Sequence, residues 1–304
     1  MQHYRSLEAV SLNSSWLTIG VFDGVHRGHQ EIIRQLTAGA HANGAPAVVL
    51  TFSPHPAVVL NGIELKWLTT PEERAEILAN LGVDVIITHP FDKQTAALSS
   101  EEFMALVKQH LGLQKLIVGY DFALGRNRTG NLGRLTEIGR EMSYDVLPVA
   151  AMQLDGQILS STLIRQLISE GHVSAAAVKL GRNYALGGPV IRGDGRGRTI
   201  GIPTANIDVP LEKVIPANGV YACQAFLGIE KHKAVVNIGV RPTFNSSEVA
   251  PRVEAYLLDY DADIYGQILT LQFVERLRGE QKFSGIDALV AQIKIDIAKA
   301  NDIL

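Results

Sequence analysis

Five short apolar runs in the first half of the chain constrain the fold most. They are LTIGVF, AVVLTF, VDVIITH, KLIVG and YDVLPVA, all within residues 17–150. Because their apolar residues follow one another without alternation, each run is typical of a strand buried on both faces. Helical patterns with start signals lie between them: Pro71 precedes two glutamates, and Ser99 and Glu102 have capping-box spacing. This alternation predicts a doubly wound, Rossmann-like α/β domain with a parallel sheet.

The pattern changes after two short helical segments, STLIRQLISEG and VSAAAVKLG. From about residue 184, strand-like runs follow one another with Gly, Pro and Asn turns between them: GGPVIRG, NGVYACQAF, KAVVNIG, RVEAYLLDY and QILTLQFVERL. Such a series predicts an antiparallel barrel or sandwich. A last helix is expected over FSGIDALVAQIKIDIAKAN, with Ile286, Leu289, Ile293 and Ile297 roughly on one face. We predict a boundary near residues 181–188, giving domains 1–182 and 183–304.

Composition limits the function classes. With 46% hydrophobic and 19% charged residues among 304, both domains should bury cores. The net charge of −3 gives no field that would gather nucleic acid or an anionic membrane, and no apolar stretch approaches the roughly 20 residues that cross a bilayer. We expect a cytoplasmic monomer or weak homo-oligomer acting on small molecules. The single cysteine, Cys223, lies in an apolar run and is expected to be an inert core thiol.

The stretch TIGVFDGVHRGHQ, residues 18–30, indicates a first site. Ligands of open parallel sheets lie where strands turn into helices, and this stretch is such a turn. Gly20 and Gly24 allow close backbone approach, and His26 and His29 point the same way at a helix start that favours phosphate. Taken singly, each histidine suits an ordinary structural role. Zinc binding by the pair lacks a third Cys or His in ligand spacing. The combined H-x-G-H pattern is typical of nucleotidyltransferases that need no covalent intermediate.

A second element of this site is expected in LSSTLIR, residues 159–165. Hydroxyl groups and free N–H groups at a helix start, with Arg165 one turn later, form a phosphate clamp. The alternative is that Ser160 or Ser161 only caps the helix. VGYDFALGR ends another strand and places Asp121 and Arg126 on the same rim.

The motifs GVFDGVHRGH, TFSPHP, VGYDFALG and SSTLIR resemble, in order and spacing, the adenylyltransferase half of bacterial bifunctional riboflavin kinase/FAD synthetases. The resemblance implies that ATP is bound by Gly20, Phe22, Asp23, Gly24, His26, His29, Ser161, Thr162 and Arg165. Of these, His26, His29 and Arg165 are assigned catalytic roles. It also implies that the flavin end is surrounded by Phe52, Pro54, Pro56 and Asp121. One departure is Arg74, near which the family pattern leads us to expect a lysine.

A second site is indicated by GDGRGRTIGIPTANI, residues 193–207. Its glycines permit close approach to an anion, although ordinary hairpins are also glycine-rich. Thr204 and Asn206 share a face if the segment is extended, and they offer a hydroxyl and an amide oxygen to a hard cation, Mg²⁺ with ATP. A kinase also needs a group that accepts the hydroxyl proton. Glu254 in RVEAYLLDY is a candidate, although a glutamate on a strand is usually solvent-facing.

The segments GRTIGIPTAN, NGVY, NIGVRPTF, VEAYLLD, IYG and RLRGEQKF resemble the riboflavin kinase module of the same family. The resemblance implies a small closed barrel in which Thr204 and Asn206 bind Mg²⁺–ATP and Glu254 is the base for the ribityl 5′-hydroxyl. Segments near Arg278 and Glu280 are expected to cover the flavin. The remaining residues assigned to ATP are Gly193, Gly195, Gly201 and Pro203.

Together the motifs predict two reactions, phosphorylation of riboflavin by ATP to FMN and adenylylation of FMN to FAD with release of pyrophosphate. Two alternatives stay open at this point. One is a single-activity enzyme whose other site has become a flavin or nucleotide sensor. The other is a non-enzymatic flavin carrier or regulator, which would bind flavin without converting it.

Overall fold

The computed structural model describes residues 1–154, 156–193, 197, 201–240 and 251–304. The chain divides into two compact units, Met1–Ser161 and Thr162–Leu304. This division falls before the predicted boundary at 182, because the two helices between residues 161 and 180 fall almost wholly in the second unit. There Arg276 of the last strand donates to the carbonyl oxygens of Glu170 and Asn218, at 3.4 and 2.6 Å. The domain limits 1–182 and 183–304 stay a prediction.

The first unit is built on a six-stranded parallel sheet with the order β1-β4-β3-β2-β5-β6. The strands are β1 Gln2–Tyr4, β2 Ser15–Ile19, β3 Ala47–Ser53, β4 Val85–Pro90, β5 Leu113–Gly119 and β6 Asp145–Val149. A two-stranded ribbon follows, β7 Gln153–Leu154 with β8 Gln157–Ile158. The chain leaves β2 for β3 on one side and later returns to place β5 on the other. The sheet therefore reverses its winding between β2 and β5, where ligands of open α/β sheets bind.

Helices cover both faces of this sheet. They are α1 Arg27–Ala42, α2 Pro56–Asn61, α3 Pro71–Asn80, α4 Lys93–Ala97, α5 Ser100–Leu111 and α6 Leu132–Met142. Phe103, Val107 and Ile138 belong to the core on one face, while Ile33 and Leu78 belong to the core on the other. Both predicted helix starts form: Pro71 is the first residue of α3, which Thr70 caps, and Ser99 caps α5, each in a capping box. The predicted doubly wound α/β fold is confirmed.

The second unit contains a closed antiparallel barrel with the order β10-β13-β12-β11-β14-β9, closed by pairing of β9 with β10. Its strands are β9 Tyr184–Ile191, β10 Ala205–Ile207, β11 Gly219–Leu227, β12 Glu230–Val240, β13 Pro251–Leu257 and β14 Ile268–Arg278. Alternate residues such as Val253, Ala255 and Leu257 are buried, as expected for strands with one face inside a barrel. The predicted barrel is confirmed.

After β8, three helices lie wholly within the described residues: α7 Ser161–Ser169, α8 Val173–Leu180 and α9 Ile286–Ile303. The face that α9 packs against the barrel differs from the predicted stripe at its start, since Ile286 is 65% exposed. Ile297, Ala300 and Ile303 instead pack with Val220 and Val235 of the barrel. None of the helices in the described ranges has the length and hydrophobicity needed to cross a membrane.

Candidate active sites

A cavity of about 300 Å³, the smaller of two in this region, opens in the first unit, where the carboxyl ends of β2, β5 and β6 meet the start of α1. Its lining includes Gly20, Phe22, His26 and His29, and also Ser161. The position is the winding reversal of the sheet, so the fold itself brings these predicted residues together.

The two predicted histidines form a stacked pair. His26 is the N-cap of α1, and its Nδ1 accepts the backbone N–H of His29 at 3.3 Å. The two rings stack with centroids 3.6 Å apart. A Cβ on Gly28 would lie 3.1 Å from the His26 ring, which explains the glycine in H-x-G-H. Because Nδ1 of His26 accepts, a neutral His26 carries its proton on Nε2.

His29 is held in its neutral form. Burial, with smaller contributions from His26 and Arg74, lowers its pKa well below the ordinary 6.5. Its Nδ1 is buried and has no hydrogen-bond partner within the described residues. A neutral imidazole with an unsatisfied nitrogen at a cavity can exchange hydrogen bonds with a ligand without carrying charge.

The loop between β2 and α1 is strained, and residues 68–69 brace it. Phe22 and Val25 have positive φ angles of 51° and 41°, which non-glycine residues rarely adopt. Asp23 is buried, and its carboxylate accepts from the backbone N–H groups of Leu68 and Thr69 at 3.0–3.1 Å. The side chain of Asp23 therefore braces the loop. Its assignment to ATP stays a prediction.

Arg74, where we expected lysine, braces the same loop from α3. Its guanidinium is fully buried, donates to the Val21 carbonyl at 2.6 Å and to Thr51 Oγ1 at 2.9 Å, and lies over the Trp67 ring. Its Nε and Nη2 have no partner within the described residues. Burial lowers the pKa of Arg74 to about 10, so it stays positive at neutral pH.

The start of α7 supplies the second predicted element. Ser161 lines the smaller cavity, and its Oγ donates to the Asp23 carbonyl at 2.8 Å. The loop that contains Asp23 is also held by the backbone N–H of Gly24, which donates to Thr69 Oγ1 at 3.0 Å. Thr162 follows Ser161 directly and Arg165 lies one turn later, where its Nη2 donates to Thr162 Oγ1 at 3.3 Å. Both belong to the second compact unit.

A larger cavity of about 830 Å³ adjoins the smaller cavity. The two share five lining residues: Ile19, Gly20, Val21, Asp121 and Phe122. Aromatic and apolar side chains dominate the larger one, among them Phe52 and Pro56 from the predicted flavin set. Pro54 is exposed and does not line it. Ligands placed in the two cavities would meet beside Gly20 and Asp121.

The rim of this larger cavity contains a residue that the sequence reasoning missed. We expected Arg126 beside Asp121, but Arg126 lines neither cavity, whereas Arg128 lines the larger one. No sequence signal separated Arg128 from Arg126, since both lie in the loop after β5. Which of two arginines two positions apart faces inward depends on the conformation of the loop.

Two of the kinase candidates, Glu254 and Asn206, lie in one row on the outer face of the barrel. Glu254 of β13 is directly opposite Asn206 of β10 on one side and Asn237 of β12 on the other. Directly opposite residues of antiparallel strands share a face, so these three side chains are neighbours. Arg252 Nη1 lies 3.4 Å from Glu254 Oε1. Asn237 was not predicted, because only the strand register identifies it.

The glycine-rich segment passes close to this row. A Cβ on Gly193 would lie 2.2 Å from the Asn206 amide group, so the backbone can pass there only without a side chain. Pro203 and Thr204 line a third cavity, of about 420 Å³, with Tyr260 and other residues of the loop after β13.

Of the other glycines assigned to ATP, Gly201 lies in the turn before Pro203, with a φ of 74°. Gly195 lies outside the described residues.

The two residues expected to cover the flavin have different surroundings. Glu280 accepts from Asn218 Nδ2 at 3.1 Å and lies against Gly239, two residues from Asn237 on the same face. Arg278 forms an ion pair with Asp296 of α9, with nitrogen–oxygen distances of 2.9–3.2 Å. This pair fixes α9 to the barrel, and a flavin contact by Arg278 stays a prediction.

Cys223 is fully buried in the barrel, and burial raises the pKa of its thiol well above the ordinary value. The predicted core position is confirmed. Within the described ranges, no group of three or more His, Cys, Asp or Glu side chains is placed to hold a metal ion.

Comparison with known proteins agrees with this geometry. The family model described as FAD synthetase matches residues 9–163, and the one described as riboflavin kinase matches residues 180–304. The bifunctional riboflavin kinase/FMN adenylyltransferase of Listeria monocytogenes is 38% identical over 92% of this chain and 89% of its own length. This chain belongs to the bifunctional riboflavin kinase/FMN adenylyltransferase family. The predicted family, the predicted two-activity enzyme and the predicted role in FAD biosynthesis through FMN are thereby confirmed.

Two further relatives extend the comparison. The Escherichia coli K12 bifunctional riboflavin kinase/FMN adenylyltransferase is 37% identical over 94% of this chain and 91% of its own length. A crystal structure titled as a macrolide-efflux protein of Streptococcus pneumoniae superposes with a TM-score of 0.91 and 30% identity, covering 98% of both chains. The likeness to that structure therefore extends over both units.

Proposed function

We propose that the two adjoining cavities of the first unit carry out adenylyl transfer, and that the outer face of the barrel around Glu254 carries out riboflavin phosphorylation. The observation that carries the first assignment is the shared wall of the cavities. A smaller cavity lined by both histidines and Ser161, which can bind a triphosphate, and a larger cavity rich in aromatic side chains, suited to an isoalloxazine ring, meet beside Gly20 and Asp121. The FMN phosphate and the α-phosphate of ATP would meet at that wall.

In adenylyl transfer, an oxygen of the FMN phosphate attacks the α-phosphorus of ATP and the bond to pyrophosphate breaks. Neutral His29 and the Nε2–H of His26 are placed to hydrogen-bond the triphosphate as charge moves toward the leaving group. Ser161 adds a hydroxyl group at a helix start, and Thr162 and Arg165 of the same motif would add a second hydroxyl and a guanidinium. Alignment and charge neutralisation supply the catalysis, and no covalent intermediate is needed.

In riboflavin phosphorylation, the ribityl 5′-hydroxyl attacks the γ-phosphorus of ATP, ADP leaves, and Glu254 accepts the hydroxyl proton. Thr204 and Asn206 offer oxygen ligands of the type Mg²⁺ prefers, and the side-chain-free Gly193 leaves a cradle beside Asn206 that a Cβ would fill. By ligand chemistry these residues fit the ion, although Thr204 lines the third cavity and Asn206 does not; bound with ATP, the ion would neutralise phosphate charge. Glu280, on the same face, would contact the flavin.

The cellular context is also proposed. Both reactions consume ATP and act on small molecules, so we place the enzyme in the cytoplasm. We propose a monomer or weak homo-oligomer without nucleic-acid or membrane partners.

The test assays each reaction alone in two variants of the full chain. His29→Ala should lower FMN adenylylation by about 10²- to 10³-fold and leave riboflavin phosphorylation unchanged. Glu254→Gln should lower phosphorylation by about 10²- to 10⁴-fold and leave adenylylation of supplied FMN unchanged. His41→Ala, at the exposed end of α1, and Glu275→Gln, exposed on β14, serve as matched controls. Loss of both activities in either folded variant would refute the two-site assignment.

A further inference from the structure

The side chains lining the two cavities of the first unit carry little positive charge for a reaction between two polyanions. FMN and ATP both carry multiply charged phosphates, which must approach each other. Among the described residues that line either cavity, Arg128 has the only permanently positive side chain. The others that can carry a positive charge there are histidines, and His29 is neutral. An attacking dianion next to a triphosphate requires a fixed cation nearby.

Arg128 is placed where the two cavities join. It lines the larger cavity, and its Nη2 donates to the backbone carbonyl of Asp121 at 3.3 Å. Asp121 is one of the five residues that line both cavities. This is the single hydrogen bond that the Arg128 guanidinium makes within the described part of the chain. The remaining N–H groups of its planar fork can therefore bind a phosphate.

The loop that carries Arg128 holds it in a strained conformation. Asn127 and Arg128 both have φ angles of 57°, consecutive left-handed residues that lack the freedom of glycine. Leu124 and Gly130 close the loop with two backbone hydrogen bonds of 3.1 and 3.0 Å, and the Arg128 N–H donates to the Gly125 carbonyl at 2.9 Å. Strain that the surrounding structure maintains at a cavity wall is typical of functional positions.

We propose that Arg128 binds the phosphate of FMN and so selects FMN over unphosphorylated flavin in the adenylylation step. This inference rests on the proposed function, since it takes the larger cavity as the FMN site. The guanidinium would hold two phosphate oxygens where the two cavities join and leave the third directed at the smaller cavity. Riboflavin fills the same aromatic cavity without this contact, so it binds there more weakly.

The test uses Arg128→Gly, Arg128→Lys and, as the matched control, Arg126→Ala in the full chain. Glycine removes the side chain and also relieves the left-handed strain, so a folding defect cannot explain its effect. In Arg128→Gly the KM for FMN should rise about 10- to 100-fold, the loss expected for a charge-assisted hydrogen bond. The KM for ATP and riboflavin phosphorylation should stay within about twofold of the parent. Lysine should give a smaller rise, and Arg126→Ala none.

A second measurement isolates the phosphate. 5′-Deoxyriboflavin has neither a phosphate nor the hydroxyl that the kinase uses, and it should inhibit adenylylation in competition with FMN. Its inhibition constant should be the same in the parent and in Arg128→Gly, although the KM for FMN differs. If both constants rise together, Arg128 contacts the ring and the proposal is wrong. If the KM for ATP rises instead, or if no constant changes, the proposal is also wrong.

These outcomes are separate from failure of the site assignment. If His29→Ala lowers adenylylation and Arg128→Gly leaves the KM for FMN unchanged, the site assignment is supported and the role proposed for Arg128 is wrong. If His29→Ala leaves adenylylation intact, the cavities are not the active site and both proposals fall together.

Discussion

Breaking the ion pair between Arg278 and Asp296 by removing one partner should strongly destabilise the barrel. The Asp296 side chain is 2% exposed and that of Arg278 is 14% exposed, with two nitrogen–oxygen contacts of 2.9 and 3.0 Å. Gln292 Nε2 donates to the same carboxylate at 2.9 Å. The carboxylate is therefore satisfied, and its removal in Asp296→Ala leaves a buried guanidinium without a counter-charge.

The expected cost follows from this geometry. Removing one partner of a buried, hydrogen-bonded pair costs about 3–5 kcal/mol, because the remaining charge stays desolvated. For a unit the size of residues 162–304, each kcal/mol lowers the melting temperature by roughly 2–4 °C, so the barrel should melt roughly 6–20 °C lower. Replacing both partners, with Arg278→Met and Asp296→Leu, removes the uncompensated charge and should restore most of the loss.

The assay must separate the two units. Both tryptophans, Trp16 and Trp67, lie in the first unit, so tryptophan emission follows that unit, while hydrogen exchange of β11 amides follows the barrel. The matched control is Glu31→Gln, which breaks a pair with Arg34 whose side chain is 67% exposed and should cost about 0.5 kcal/mol or less. A cost under about 1 kcal/mol for Asp296→Ala would refute the reasoning, as would a double variant no more stable than the single one.

Three further outcomes follow from packing and burial. Gly39→Ala in α1 should lower the melting temperature of the first unit, because the new Cβ would lie 2.1 Å from the Trp16 ring. This overpacking should cost about 1–3 kcal/mol, more than the gain in helix propensity of about 1 kcal/mol. Cys223 should react with a thiol reagent only on unfolding, as measured by the rate of labelling against denaturant. Burial lowers the pKa of His29 and His89 in the folded state, so below pH 6.5 the unfolded chain binds more protons than the folded one. The first unit should therefore lose stability as the pH falls below 6.5. Tryptophan-monitored melts at about pH 7.5 and about pH 5.5, on either side of that value, should differ in the parent and differ less in His29→Asn.

The fold could be predicted because its main elements depend on local pattern. Strands buried on both faces leave continuous apolar runs, and capped helices leave Ser, Thr or Pro at fixed spacing, as at Thr70 and Ser99. Four strands were missed because they are too short to show a period. Residues 2–4 and 205–207 form strands of three residues, residues 153–154 and 157–158 form strands of two, and each pairs with a neighbouring strand.

The residues of the candidate sites also differ in whether the local sequence predicts them. His26, His29 and Glu254 were predicted from a motif or a strand position. The structure places the histidines at the smaller cavity and Glu254 opposite Asn206, and their catalytic roles stay predictions. Arg128 and Asn237 were not predicted, because their positions depend on a loop conformation and on strand register. Neither leaves a signal in the local sequence, so the positive charge beside the proposed FMN cavity could be recognised only from the cavity itself.

A single motif can combine residues that face a ligand with residues that hold the others in place. In GVFDGVHRGH, the histidines line the cavity, whereas the Asp23 carboxylate is occupied by the backbone of residues 68–69. Its bonds, and those of Arg74 to Val21 and Thr51, hold a loop in which Phe22 and Val25 adopt left-handed φ angles. A loop so strained keeps its shape only if it is braced from outside the motif. The placement of the histidine pair therefore depends on α3, a helix well separated from the motif in the sequence.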